Sequence, residues 1–144
     1  MTDDEFVAVF ESCTLRNEEF RHADHVRMGF LYMSRFPGLE GIRRFCEALE
    51  RFAGASGKPN LYHETITWAF LLLIRERLAR SRQHSGKLPS WDEFAAHNKD
   101  LLKGKDYVLR EYYRGETLKS ELARKTFILP DRSLTLSQKC GVRK

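Results

Sequence analysis

Three histidines stand at the heads of apolar stretches of the sequence. His22 and His25 open the stretch "FRHADHVRMGFLYM", and His63 is followed by Glu64 in "NLYHETITWAFLLLI". Residues three or four positions apart share one face of a helix, so His22 and His25 can present two imidazoles to one ion. Imidazoles and carboxylates are costly to bury without partners. We therefore interpret these four residues as a candidate site.

These four residues are consistent with three roles: metal binding, metal-free proton transfer and structural hydrogen bonding. Three imidazoles with a carboxylate or a water suit zinc, iron, manganese or nickel, which makes His22, His25 and His63 the predicted ligands of a divalent metal. Glu64 is then the predicted catalytic residue, as a general base or as an orienting partner. Without a metal, histidine and glutamate can relay protons, with Tyr62 or Thr65 as an orienting donor. In the structural interpretation, the histidines bond to loop carbonyls.

A second candidate lies in the stretch "SELARKTFILPDR", residues 120–132. Arg124 is predicted to pair with Glu121, Asp131 or Glu64, and the alternative is that it binds an anionic substrate. Tyr62, Arg124 and Asp131 are therefore the predicted ligand-binding residues. Structural pairing is the preferred interpretation of Arg124.

The elements that must position these residues are all predicted to be helices, because apolar residues recur every three or four positions over most of the chain. Thr2 with Glu5 and Ser90 with Glu93 have the spacing of capping boxes. Asn60 is the predicted N-cap of the fourth helix. The predicted helices cover residues 2–13, 22–36, 39–54, 61–83, 90–98, 106–113 and 116–127.

The fourth predicted helix, 61–83, is expected to be central, because its segment "WAFLLLI" is apolar on every side. Gly29, inside the second helix, costs about 1 kcal/mol relative to alanine and predicts close approach of another backbone. We predict one all-α domain over residues 1–144, an irregular bundle of about six or seven helices with a flexible tail from about residue 133. The starts of the second and fourth helices would then meet at one pocket.

Composition excludes several classes of protein. Of the 144 residues, 42% are hydrophobic and 31% charged, which is typical of a globular chain and not of a disordered one. The acidic start "MTDDEF" and an apolar run of only seven residues, 68–74, predict a cytoplasmic protein without a membrane span. Three cysteines without a CxxC pair predict no disulfide framework.

The formal net charge of +5 raises the question of nucleic-acid binding. Acidic and basic residues alternate along the helices, however, which is typical of a solvated face. Nucleic acid is therefore disfavoured as a partner. Nucleic-acid binding would again be favoured if the structure showed a basic groove lined by Arg75, Arg77, Arg80 and Arg82.

Four short segments carry a resemblance to a known family: "FRHADHVR" (20–27), "YHETIT" (62–67), "YY" (112–113) and "ARKTFILPD" (123–131). Together they resemble a family of small bacterial all-helical proteins, over about residues 6 to 131. The resemblance implies that the histidine-bearing and Pro-Asp segments belong together. It carries no activity or substrate with it.

The sequence thus predicts a small cytoplasmic protein that binds a divalent metal or a small molecule in a His/Glu pocket. Whether it is an enzyme stays open, and any reaction would be metal-assisted. The alternative is an interaction module, as a homodimer, in which the histidines are structural. Imidazole nitrogens converging on an open cavity would favour the site. Histidines bonded to backbone carbonyls would favour the module.

Overall fold

The computed structural model describes residues 1–132, and within them the chain is helical without any strand. The α-helices are α1 (Asp3–Glu11), α2 (His22–Arg35), α3 (Gly38–Ala55), α4 (Glu64–Ser85), α5 (Trp91–His97), α6 (Lys105–Leu109), α7 (Gly115–Leu118) and α8 (Glu121–Lys125). Short 3-10 helices cover Asn17–Glu19, Pro59–Leu61 and Lys99–Leu102. The predicted all-α fold is confirmed. The predicted flexible tail lies outside the described residues.

Two helix starts follow the predicted capping chemistry. At α1, the Thr2 hydroxyl accepts from the Glu5 N–H at 3.1 Å, and the Glu5 carboxylate accepts from the Thr2 N–H at 2.7 Å. At α5, Ser90 and Glu93 exchange the same pair of bonds at 3.2 and 2.8 Å. Each box satisfies two backbone donors that a helix start leaves unpaired.

The prediction that Asn60 caps α4 is wrong. Asn60 lies in the 3-10 helix Pro59–Leu61, and α4 begins only at Glu64. The N-cap is His63, whose imidazole Nδ1 accepts from the Ile66 N–H at 3.1 Å. A histidine takes this role because a neutral imidazole offers one lone pair to an unpaired helix donor.

The predicted seventh helix is two helices, α7 and α8, which is why the fold has eight α-helices within the described residues. Ser120 divides them: its hydroxyl accepts from the Ala123 N–H at 3.1 Å and donates to the Thr117 carbonyl at 2.7 Å. After α8 the chain is extended without joining a sheet. There the Thr65 hydroxyl donates to the Thr126 carbonyl at 2.8 Å, which ties this segment to α4.

Helices α2 and α4 form the centre of the domain. Gly29 of α2 faces α4 so closely that a Cβ there would lie 3.1 Å from Ile74 Cδ1 and 3.2 Å from Leu71 Cδ2. The predicted close approach to α4 is confirmed, but the atoms nearest the glycine belong to side chains and not, as predicted, to another backbone. Leu71 and Ile74 are each 1% exposed, and this buried contact places the starts of the two helices beside one another.

An aromatic cluster joins α1, α2 and α3. Phe10 is fully buried at its centre, with ring centroids 5.2 Å from Phe20, 5.7 Å from Phe52, 5.9 Å from Phe45 and 6.1 Å from Tyr32. Tilted and edge-on rings at these separations add attraction to the burial of apolar area. The cluster fixes the wall against which the candidate site is built.

The basic stretch of α4 does not form an open groove. The Arg75 guanidinium donates to the Phe36 carbonyl at 3.1 Å, and Arg77 is held by the carboxylate of Asp100. Arg80 pairs with Glu76 one turn away at 2.8 Å. Three of the four arginines named for a nucleic-acid groove are thus engaged within the protein. Among residues 1–132, no helix is both long enough and apolar enough to cross a bilayer.

Candidate functional site

A cavity of about 410 Å³ lies between the starts of α2 and α4 and the inner face of α3. Its polar lining consists of Asn17, His22, His25, Tyr62, His63, Thr67 and Lys105. Its apolar wall includes Phe20, Val26, Phe45, Leu49, Phe52, Ile66, Phe70, Leu71 and Ile74. All three histidines singled out in the sequence therefore lie on one cavity.

His63 is held by both of its ring nitrogens. Nδ1 accepts from the Ile66 N–H, and Nε2 lies 2.7 Å from the Leu118 carbonyl oxygen. Since a carbonyl only accepts, Nε2 carries the proton and the ring is neutral. Burial lowers the pKa of His63, which keeps it neutral. The ring fastens the start of α4 to the end of α7.

His22 has one ring nitrogen committed. Its Nε2 donates to the Leu101 carbonyl at 2.8 Å. The ring meets Phe70 edge-on, with centroids 5.4 Å apart. His22 thereby links the start of α2 to the 3-10 helix Lys99–Leu102.

His25 stacks on an aromatic ring. Its imidazole lies nearly parallel to Phe20, with ring centroids 3.9 Å apart. Burial lowers the pKa of His25 to about 4, and the neighbouring His22 adds to the effect. His25 is therefore a neutral polar group in the cavity wall at physiological pH.

The three imidazoles are not assembled as a metal centre. Within residues 1–132, no group of three or more His, Cys, Asp or Glu side chains is placed to hold a metal ion. His63 has no lone pair to offer, because Nδ1 accepts an amide proton and Nε2 donates its own. The metal role of His22, His25 and His63 stays a prediction without support from this geometry.

Glu64 lies beside the cavity and outside its lining. Its carboxylate accepts from the Tyr62 hydroxyl at 2.5 Å. Burial raises the pKa of Tyr62 well above its usual range, and burial also raises the pKa of the neighbouring Cys46 thiol to about 11. A thiol with this pKa is a poor nucleophile at neutral pH. The structure thus places Glu64 with Tyr62 and Cys46, and the catalytic role of Glu64 stays a prediction.

Arg124 and Asp131 bond to backbone groups outside the cavity. The Arg124 guanidinium donates to the carbonyls of Asn60 and Tyr62, and it pairs with Glu121 at 3.4 Å. Asp131 accepts from the Thr117 hydroxyl and from the backbone at the start of α7. Both residues join segments distant in sequence. Of the predicted ligand-binding residues, Tyr62 alone lines the cavity within the described part of the chain.

A bidentate ion pair holds the 3-10 helix Lys99–Leu102, to which His22 bonds. The Arg77 guanidinium of α4 donates two hydrogen bonds to the Asp100 carboxylate, at 2.6 and 2.8 Å. It also donates to the Asn98 side chain at 3.1 Å. The guanidinium lowers the pKa of Asp100. Because Asp100 precedes Leu101, whose carbonyl accepts from His22, the pair sets the position of that acceptor.

The Arg77→Lys substitution should lower the free energy of unfolding by about 1 kcal/mol, because lysine keeps the charge and loses the two-point contact. Urea unfolding of the purified variant would measure this. The matched control is Arg80→Lys on the same helix, where the ion pair with Glu76 is exposed and the expected change is below about 0.5 kcal/mol. Equal losses in the two variants would contradict a structural role for the bidentate geometry.

Sequence reasoning missed the aromatic wall and Lys105. Phe45 and Phe52 lie within the predicted third helix and Phe20 lies just before the second. In the sequence, nothing distinguishes these cavity-lining rings from ordinary core residues. Lys105 follows Gly104, whose φ of 124° is one that residues with a side chain rarely adopt. This turn starts α6 and brings the lysine to the cavity. Gly104 was the available signal.

Comparison of the chain with protein-family models, curated proteins and solved structures finds no match. The resemblance to a family of small bacterial proteins therefore stays a prediction.

Proposed function

We propose that this protein binds a small, largely apolar molecule in the cavity between α2, α3 and α4. The observation that carries the proposal is the cavity itself: about 410 Å³ with a wall built mainly from aromatic and aliphatic side chains. Small-molecule sites in proteins have this size, with an apolar lining and a few fixed polar groups. Here the fixed polar groups are His22, His25 and His63.

The hydrogen bonds of the histidines support binding more than they support metal chemistry. His63 and His22 each bond to a backbone carbonyl through Nε2, so the orientation of each ring is fixed before any ligand arrives. Fixed groups lower the cost of ordering the site on binding. The sequence also led us to expect a divalent metal, a bacterial source and a cytoplasmic location. These remain proposals with less support than small-molecule binding, and no reaction is assigned.

A substitution that fills the cavity tests the proposal. Ala53 on α3 lines the cavity and is 5% exposed, so Ala53→Phe should place a ring in the space that a ligand needs. The neutral fluorescent probe N-phenyl-1-naphthylamine should bind the wild-type protein, and its affinity for the variant should fall by about tenfold or more. Titration of probe fluorescence measures both affinities.

The matched control is Ala55→Phe, the same change at an exposed position of the same helix, which should leave probe binding unchanged. Circular dichroism would show that both variants keep their helices. Absence of probe binding to the wild-type protein, or equal binding by the two variants, would overturn the proposal. We would then adopt the alternative of an interaction module with structural histidines.

A further inference from the structure

The cavity carries one charged side chain among the described residues that line it. That side chain is Lys105, and no aspartate or glutamate contributes to the lining. Glu64, the carboxylate predicted to belong to the site, is outside the lining and already accepts from Tyr62. Lys105 makes no salt bridge with any residue between 1 and 132. Within the described lining, Lys105 is therefore a cation without an ion-pair partner.

Lys105 stands at the rim of the cavity. It and Leu61, which is 60% exposed, are the exposed members of the lining. Other members of the lining are buried, since Leu71 and Ile74 are each 1% exposed. The cavity thus has an apolar interior and a positive charge at its mouth.

The ammonium group of Lys105 also acts on the histidines. Its positive charge contributes to the lowered pKa of both His25 and His63, which means that it lies within electrostatic reach of both rings. An anion at this position would meet an attractive field.

We infer that the occupant of the cavity is an amphiphilic carboxylate, whose apolar chain or ring fills the interior while its anionic group pairs with Lys105. The inference rests on the proposed function and adds the chemical class of the ligand. A ligand with a cationic group finds no carboxylate in the described lining and meets a like charge at the mouth. A neutral alcohol of the same length gains the apolar contacts alone.

Competition against N-phenyl-1-naphthylamine tests the inference with three ligands of one chain length: decanoate, decanol and decylamine. The variant Lys105→Gln keeps much of the side-chain length and removes the charge. Decanoate should bind this variant about fivefold more weakly than it binds the wild-type protein, while decanol should bind both equally. Lys99→Gln changes an exposed lysine outside the cavity lining and should leave decanoate binding unchanged.

Salt dependence gives a second measurement on the wild-type protein alone. Raising NaCl from about 20 mM to about 500 mM should weaken decanoate binding and leave decanol binding nearly constant, because salt screens the charge pair. Salt-independent decanoate binding, or a decanoate affinity untouched by Lys105→Gln, would overturn the inference. Either result with intact probe binding would leave the proposed function standing. Failure of the wild-type protein to bind the probe would remove the proposed function and the inference together.

Discussion

Replacing His63 by alanine is expected to lower the free energy of unfolding by about 3 kcal/mol. The substitution removes the cap of α4, a loss of about 1 kcal/mol. It also leaves the buried Leu118 carbonyl without its donor, which costs about 1–3 kcal/mol. His63 is itself buried, with 7% of its surface exposed. Urea unfolding followed by circular dichroism at pH 7 would measure the change.

Two variants make this result specific. His63→Asn retains a side chain that caps helices well and loses the contact with Leu118, so about half of the loss is expected. His84→Ala, at an exposed position of the same helix, should change the free energy of unfolding by less than about 0.5 kcal/mol. A loss below about 1 kcal/mol in His63→Ala would show that neither bond contributes to stability.

The juxtaposition of the histidines was accessible from the sequence. Each lies at the polar end of an apolar helical stripe, and such stripes must pack against one another in a single core. Gly29 marked a point where α2 and α4 pack tightly, because a Cβ there would lie 3.1 Å from Ile74 Cδ1 and 3.2 Å from Leu71 Cδ2. These two signals together placed the starts of α2 and α4 side by side.

The partners of the histidines were not accessible in the same way. His22 bonds to a carbonyl 79 residues away, and His63 bonds to one 55 residues away. Any backbone carbonyl is chemically equivalent as an acceptor, so no residue type marks the right one. Whether the histidines bind a metal or hold the fold together depends on which acceptors they meet. The sequence does not identify those acceptors, so it left both roles open.

The division between α7 and α8 has a similar cause. Apolar periodicity continues across Ser120, and the sequence shows one helix there. The Ser120 hydroxyl competes with the helical hydrogen bonds by bonding to the Thr117 carbonyl and the Ala123 N–H. Packing of the segment after α8 against Thr65 of α4 then favours the broken form.

His25 should make the stability of the protein depend on pH in a defined window. Burial lowers its pKa to about 4 in the folded state, whereas an unfolded chain has a histidine pKa of about 6.5. Between these values the unfolded chain takes up a proton at His25 that the folded protein does not bind. The free energy of unfolding therefore falls as the pH falls from about 6.5 to about 4.

The pH range of the stability loss distinguishes the contribution of His25 from that of the carboxylates. Between pH 7 and about pH 4.5, His25 should account for about 2 kcal/mol of lost stability. Carboxylates whose pKa is lowered by partners, such as Asp100 beside Arg77, lose their contribution mainly below about pH 4. The lowered pKa of His63 acts in the same direction as that of His25, so a comparison that leaves His63 unchanged is required.

The variant His25→Phe provides that comparison, because it keeps a ring stacked on Phe20 and removes the titrating group. Urea unfolding at pH 7 and at about pH 4.5 should show a pH-dependent loss in the variant that is about 2 kcal/mol smaller than in the wild-type protein. The NMR titration of the His25 ring in the wild-type protein should give a pKa of about 4. A pKa near 6.5, or parallel pH profiles for the two proteins, would mean that water reaches the ring and that His25 is not a fixed neutral part of the cavity wall.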